Sequence, residues 1–98
     1  MSRKVIFHRL ANEELNDAAQ HYESSSAGLG QEFLQKIERC IRCIVRHPRA
    51  GSVLSGEVRN WLARAFLCAV VYSVTPSGIR VLAVMHAKRR PKYWVGRK

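Results

Sequence analysis

Phe66-Leu-Cys-Ala-Val-Val-Tyr-Ser-Val74, then Thr75-Pro-Ser-Gly78, then Ile79-Arg-Val-Leu-Ala-Val-Met-His86 is the stretch that decides the fold. Two runs rich in β-branched and aromatic residues flank a Pro/Gly turn, the pattern of a β-hairpin. Both runs are apolar at consecutive rather than alternate positions. A strand that is apolar on both faces needs cover on both, so the pair is expected inside a sheet. Arg80 and His86 are the polar ends of the second run.

Upstream, Val58 to Leu62 is expected to add a third strand, and Pro48-Arg-Ala-Gly51 is expected to be a turn. Before that turn two helices are expected. In Ala11 to Tyr22, the residues Ala11, Leu15, Ala18, Ala19 and Tyr22 make one stripe at helical spacing. Asn12 is a candidate N-cap, with a start one or two residues earlier as the alternative, and Glu13, Glu14 and Asp17 fall in the first turns, where the helix dipole favours anions. From Leu29 to His47, Phe33, Ile37, Cys40, Ile41 and Ile44 form the apolar face, and Pro48 stops the helix. Ser24-Ser-Ser26 with Gly28 and Gly30 is the hinge between them. Lys4 to His8 is a short opening strand. The expected order is β-α-α-β-β-β: an α+β domain over residues 1–98, with an N-terminal strand, a helical hairpin and a three-stranded antiparallel meander.

The charge is lopsided. Lys+Arg is 17 against 7 Asp+Glu, a net +10. Residues 51–98 hold nine basic groups and one acid, Glu57, a net of +8. Such a field favours a polyanionic partner: nucleic acid, an acidic membrane or an acidic protein segment. The longest apolar run, Ala65 to Tyr72, is too short to span a bilayer, and of these polyanions a membrane is the one not expected as a partner. Three cysteines, Cys40, Cys43 and Cys68, do not suggest a disulfide framework, and a reducing cytoplasm fits best. Cys40, Cys43 and His47 have spacing that would suit a metal. Cys40 lies in the apolar stripe, however, so packed thiols are expected, with no metal and no cofactor.

The tail runs Lys88-Arg-Arg-Pro-Lys-Tyr-Trp-Val-Gly-Arg-Lys98. Arg59, Arg64, Arg80, Lys88, Arg89, Arg90 and Lys92 are the candidates for binding nucleic acid or a protein target, because guanidinium groups grip phosphate and carboxylate. Metal-independent RNA cleavage needs a base, cations for the phosphorane and an acid. For that chemistry the candidates are His86, Arg89, Arg59 and Tyr93, with no carboxylate expected nearby except Glu57. A structural histidine at a strand end is the alternative for His86. Trp94, Phe33 and Tyr22 are expected to be structural.

Taken in order, several segments resemble the RelE/ParE toxin superfamily, and more closely its ParE-like plasmid stabilisation branch. These are Ala11-x-x-Glu-Leu15, Ala18-Ala19 and Tyr22-Glu23, then Gly28-Leu-Gly-x-x-Phe33, Ile37-Glu38 and Pro48-x-x-Gly51. Val58-Arg59, Phe66-x-x-x-Val70-x-Tyr72 and Ile79-x-Val-Leu-Ala-Val84-x-His86-x-x-Arg89-x-Pro91-x-Tyr-Trp94 complete the set. One departure stands at Phe66-Leu67-Cys68, where the family often has Phe-Pro-Tyr, so one stacking aromatic is absent. The resemblance implies a RelE-like fold. It also implies a growth-inhibiting toxin of a type II toxin–antitoxin system, joined in a hetero-oligomer to an antitoxin that folds on binding. Two mechanisms compete within the family: a DNA gyrase inhibitor without catalysis, slightly favoured here, and a ribosome-dependent mRNA endoribonuclease. A non-toxic nucleic-acid-binding domain is the third reading.

Overall fold

A computed structural model describes residues 4–86 and 93–97. Strand β1 (Lys4–Phe7) runs directly into helix α1 (Arg9–Ser25), followed by α2 (Leu29–Arg46). Four strands come next: β2 (Ser52–Ser55), β3 (Val58–Ala63), β4 (Cys68–Thr75) and β5 (Gly78–His86), with a 3-10 turn at Arg64–Phe66. The sheet order is β1-β5-β4-β3-β2. Strands β2 to β5 form an antiparallel meander, and β1 adds in parallel to β5, with Val5 beside Ile79. The expected α+β architecture holds, with one strand more than expected. The extra strand, Ser52–Ser55, lies at the sheet edge and leaves Val53 exposed. It has no hydrophobic alternation, and only its pairing to β3 makes it a strand.

The N-terminus of α1 corrects the sequence reading. His8, not Asn12, is the cap: its Nδ1 accepts from the Leu10 amide at 3.0 Å, while its own amide bonds to Val81 O at 2.8 Å. Glu13 and Glu14 therefore sit beyond the first turn, which carries no acid. Helix α2 begins at Gly28, whose φ of +86° suits glycine. The Glu23 carboxylate closes this start, accepting from the Gly28 and Gly30 amides at 3.0 Å each. Strand β4 begins two residues later than Phe66, because the 3-10 turn drops Phe66 onto Tyr22 and Phe33, with ring centroids 5.0 and 5.3 Å away.

Two clusters flank the sheet. On the helix side Ala11, Phe33, Ile37, Cys40 and Ile44 pack against Val70, Tyr72, Ile79, Val81 and Val84. On the other side Trp94 is buried against Val71, Leu82 and Ala83. This is why β4 and β5 are apolar on both faces. None of the described helices is long and apolar enough to cross a membrane.

Candidate functional site

An irregularity in β5 decides which side chains meet. Val71 pairs with Ala83 but Tyr72 pairs with Val81, so Leu82 is an extra residue in the ladder. A bulge of one residue inverts the alternation beyond it. Before it, Ile79 and Val81 face the helices; after it, Val84 does, while both Leu82 and Ala83 face Trp94. His86, in register with Cys68, thereby turns to the helix side. There it lines a pocket of about 260 Å³ with Glu14, Asp17, His21, Tyr22, Cys68 and Tyr93.

The pocket's polar wall is built by α1 and the chain end. Glu14 Oε1 accepts from the Val84 amide at 3.1 Å, on the β5 edge that extends beyond β1. Arg97 meets the same carboxylate with both terminal nitrogens, at 2.9 and 3.2 Å, and donates to Leu82 O at 2.9 Å. Its guanidinium lies 4.9 Å from the Tyr93 ring centroid. Glu14 and Arg97 thus stand in for the strand that β5 lacks there, and tie the C-terminal segment to α1. Deeper in, Tyr22 donates to Phe66 O at 2.8 Å. Burial pushes the Tyr22 and Cys68 pKa values up, so both are protonated at neutral pH.

The remaining candidates are dispersed. Arg59 is in register with Tyr72, and His86 with Cys68 opposite Ala63. They therefore lie toward opposite ends of the sheet, roughly 13 Å apart along β3 at ~3.3 Å per residue. The Arg59 guanidinium donates to Arg49 O and Gly51 O, both at 2.9 Å, and Tyr72 donates to Pro48 O at 2.8 Å. Together they clamp the turn between α2 and β2. Arg80 pairs with Ser73, on the face opposite to Ile79 and Tyr72. Arg64 is exposed in the 3-10 turn. Tyr93 is half-buried and Trp94 buried. Lys88, Arg89, Arg90 and Lys92 lie outside the described residues.

Glu57 is not the carboxylate near His86; Glu14 and Asp17 are, and sequence reasoning missed them along with His21 and Arg97. A signal was present. Glu14 falls three residues after Ala11 and four before Ala18, inside the apolar stripe of α1, where an acid needs a partner. Cys40 is buried while Cys43 is exposed, and all three thiols are free. Among the described residues, no group of three His, Cys, Asp or Glu side chains is placed to hold a metal.

Two apolar features lie outside the pocket. A groove of about 470 Å³ follows the helical hairpin, lined by Val5, Leu15, Leu34, Ile37, Ile41 and Val45, with Arg42, Arg46 and Glu38 at its rim. A smaller hollow of about 210 Å³ lies at the β3–β4 corner between Leu62, Arg64, Leu67 and Met85.

Residues 5–91 match the model of one protein family, the ParE toxin of the parDE type II toxin–antitoxin system. The chain belongs to the ParE toxin family. No curated protein sequence matches it. Among solved structures it resembles a chain of the chromosomal ParDE toxin–antitoxin system from P. aeruginosa, with a TM-score of 0.73 and 15% identity. That likeness covers 89% of this chain and 98% of the other, so the fold is shared despite the low identity. The ParE toxin described here is thus the toxin partner of a two-protein system.

Proposed function

We propose that this ParE toxin arrests growth in the cytoplasm by binding DNA gyrase, as a binding protein with no chemistry of its own. The observation that carries this reading is the sign of the His86 pocket. Its described charged neighbours are Glu14, Asp17 and an Arg97 already engaged by Glu14. With Glu14 paired to Arg97, the one unmatched charge among the described residues of the pocket is the Asp17 carboxylate, which repels a phosphodiester, whereas RNA cleavage requires cations there. Arg59 gives its guanidinium to loop carbonyls some distance away. Arg64, Arg80 and the tail residues Lys88, Arg89, Arg90 and Lys92 then serve as contacts to an acidic target surface.

The endoribonuclease reading draws on one observation: His86, His21 and Tyr93 line one pocket and offer a base and acid pair. One induction experiment separates the two. Gyrase inhibition is expected to block supercoiling and damage DNA while mRNA stays intact. Codon-phased mRNA cuts that disappear in His86→Ala would overturn the gyrase reading.

The antitoxin's seat in this proposal is the helical groove. An amphipathic segment folding there covers Leu34, Ile41 and Val45, while acidic residues meet Arg42 and Arg46. Leu34→Glu is expected to weaken antitoxin binding at least tenfold in a titration, with the melting temperature unchanged.

A further inference from the structure

Leu67 is the one non-glycine residue with positive φ among those described, at φ +53° and ψ +37°. Side chains other than glycine, asparagine and aspartate resist this left-handed conformation, because Cβ crowds the following carbonyl. Core packing does not hold Leu67 there, since it is 64% exposed. Leu62, in register with Ala69 and through it with Met85, is 55% exposed on the same corner. Two large apolar side chains thus flank the hollow bounded by Arg64 and Met85. The left-handed residue closes the 3-10 turn, its amide bonding to Arg64 O at 3.3 Å; glycine or asparagine would do so without strain, so an apolar side chain kept in solvent there points to a binding surface.

The chemistry of the occupant follows from the walls and the field. Apolar walls suit a protein side chain better than a phosphate backbone. Arg64 on the rim, with no acidic side chain among the described residues lining the hollow, calls for a carboxylate beside that side chain. Glu57 precedes the opposite end of β3. The corner shares no lining residue with the antitoxin's proposed seat, which is lined by α1, α2 and β1. We propose that Leu62, Leu67 and Arg64 form the surface that docks the toxin on its protein target, against an acidic patch presenting a large apolar side chain. This rests on the gyrase reading above and adds the surface that makes the contact.

The test titrates purified DNA gyrase, in a supercoiling assay, with the wild-type chain and with Leu67→Gly, Leu67→Asn and Leu62→Ser. Melting curves and co-purification with the antitoxin are measured alongside. Glycine and asparagine both fit the left-handed backbone, so the two Leu67 variants are expected to melt at or above the wild-type temperature and to keep the antitoxin. Half-inhibition is expected to need at least ten times more of either variant. Undiminished inhibition by both Leu67 variants overturns the inference, as does loss of antitoxin binding with inhibition retained. If the wild type leaves gyrase untouched, the gyrase reading falls and growth arrest on induction becomes the readout. Arrest lost in the variants then supports the surface, and arrest retained overturns it. A wild-type chain that does neither overturns both.

Discussion

A methyl group at Gly51 would overlap the Tyr72 hydroxyl oxygen and lie 2.8 Å from Asn60 O. Gly51→Ala is therefore expected to lower stability by about 2 kcal/mol, read as a reduced urea midpoint. The same crowding explains Arg59, whose two bonds to Arg49 O and Gly51 O hold the turn that Tyr72 pins from the other side. Arg59→Ala is expected to cost about 1 to 2 kcal/mol of stability, since it takes the donor from the part-buried Gly51 carbonyl, whereas water can replace it at the exposed Arg49 carbonyl. Glu14 and Arg97 show the same economy on the other edge of the sheet. Their side chains are 18% and 11% exposed, so removing either strands a charge with little solvent. Single alanine variants are each expected to lose about 2 to 4 kcal/mol, with a coupling above about 1 kcal/mol in the double-mutant cycle. Additive losses would show that the pair does not act as a unit.

At the scale of elements, two departures from regularity place the side chains. The Leu82 bulge turns His86 from the Trp94 side to the helix side, and so creates the pocket with Glu14 and His21. No pattern in Ile79 to His86 reveals it, because every residue from Val81 to Met85 is apolar and either alternation would look the same. The start of α2 is the second. It has no side-chain cap of its own, and Glu23 reaches across from α1 to supply one. Glu23→Ala is expected to cost about 1 kcal/mol, whereas Glu38→Ala, which removes only an exposed pair with Arg42 in the middle of α2, should cost at most about 0.5 kcal/mol. Equal effects in urea unfolding would sink that explanation. The expected Asn12 cap failed for a related reason: β1 delivers the chain straight into α1, and His8 is tied to Val81 before Asn12 is reached.

For the whole molecule, burial sets the response to pH. Tyr22, Tyr72, Cys40 and Cys68 all have pKa values raised chiefly by burial. The folded chain keeps protons that the unfolded chain releases, so this contribution is complete below the ordinary thiol and phenol values and is lost as pH rises through and beyond them. Urea midpoints are expected to be level near neutrality and to fall above about pH 9. The sequence by itself determined the α+β class, both helices, the inner hairpin and the basic second half, because hydrophobic period, turn residues and charge are properties of neighbours along the chain. It also determined the family, through the ordered segments that end in His86-x-x-Arg89-x-Pro91-x-Tyr-Trp94. Only the tertiary structure decided that Ser52–Ser55 is a strand, that Arg59 is engaged in holding a turn, and that His86 sits among carboxylates. Each of these depends on pairing, register or a bulge between segments distant in sequence, and local residue type carries no record of such partners.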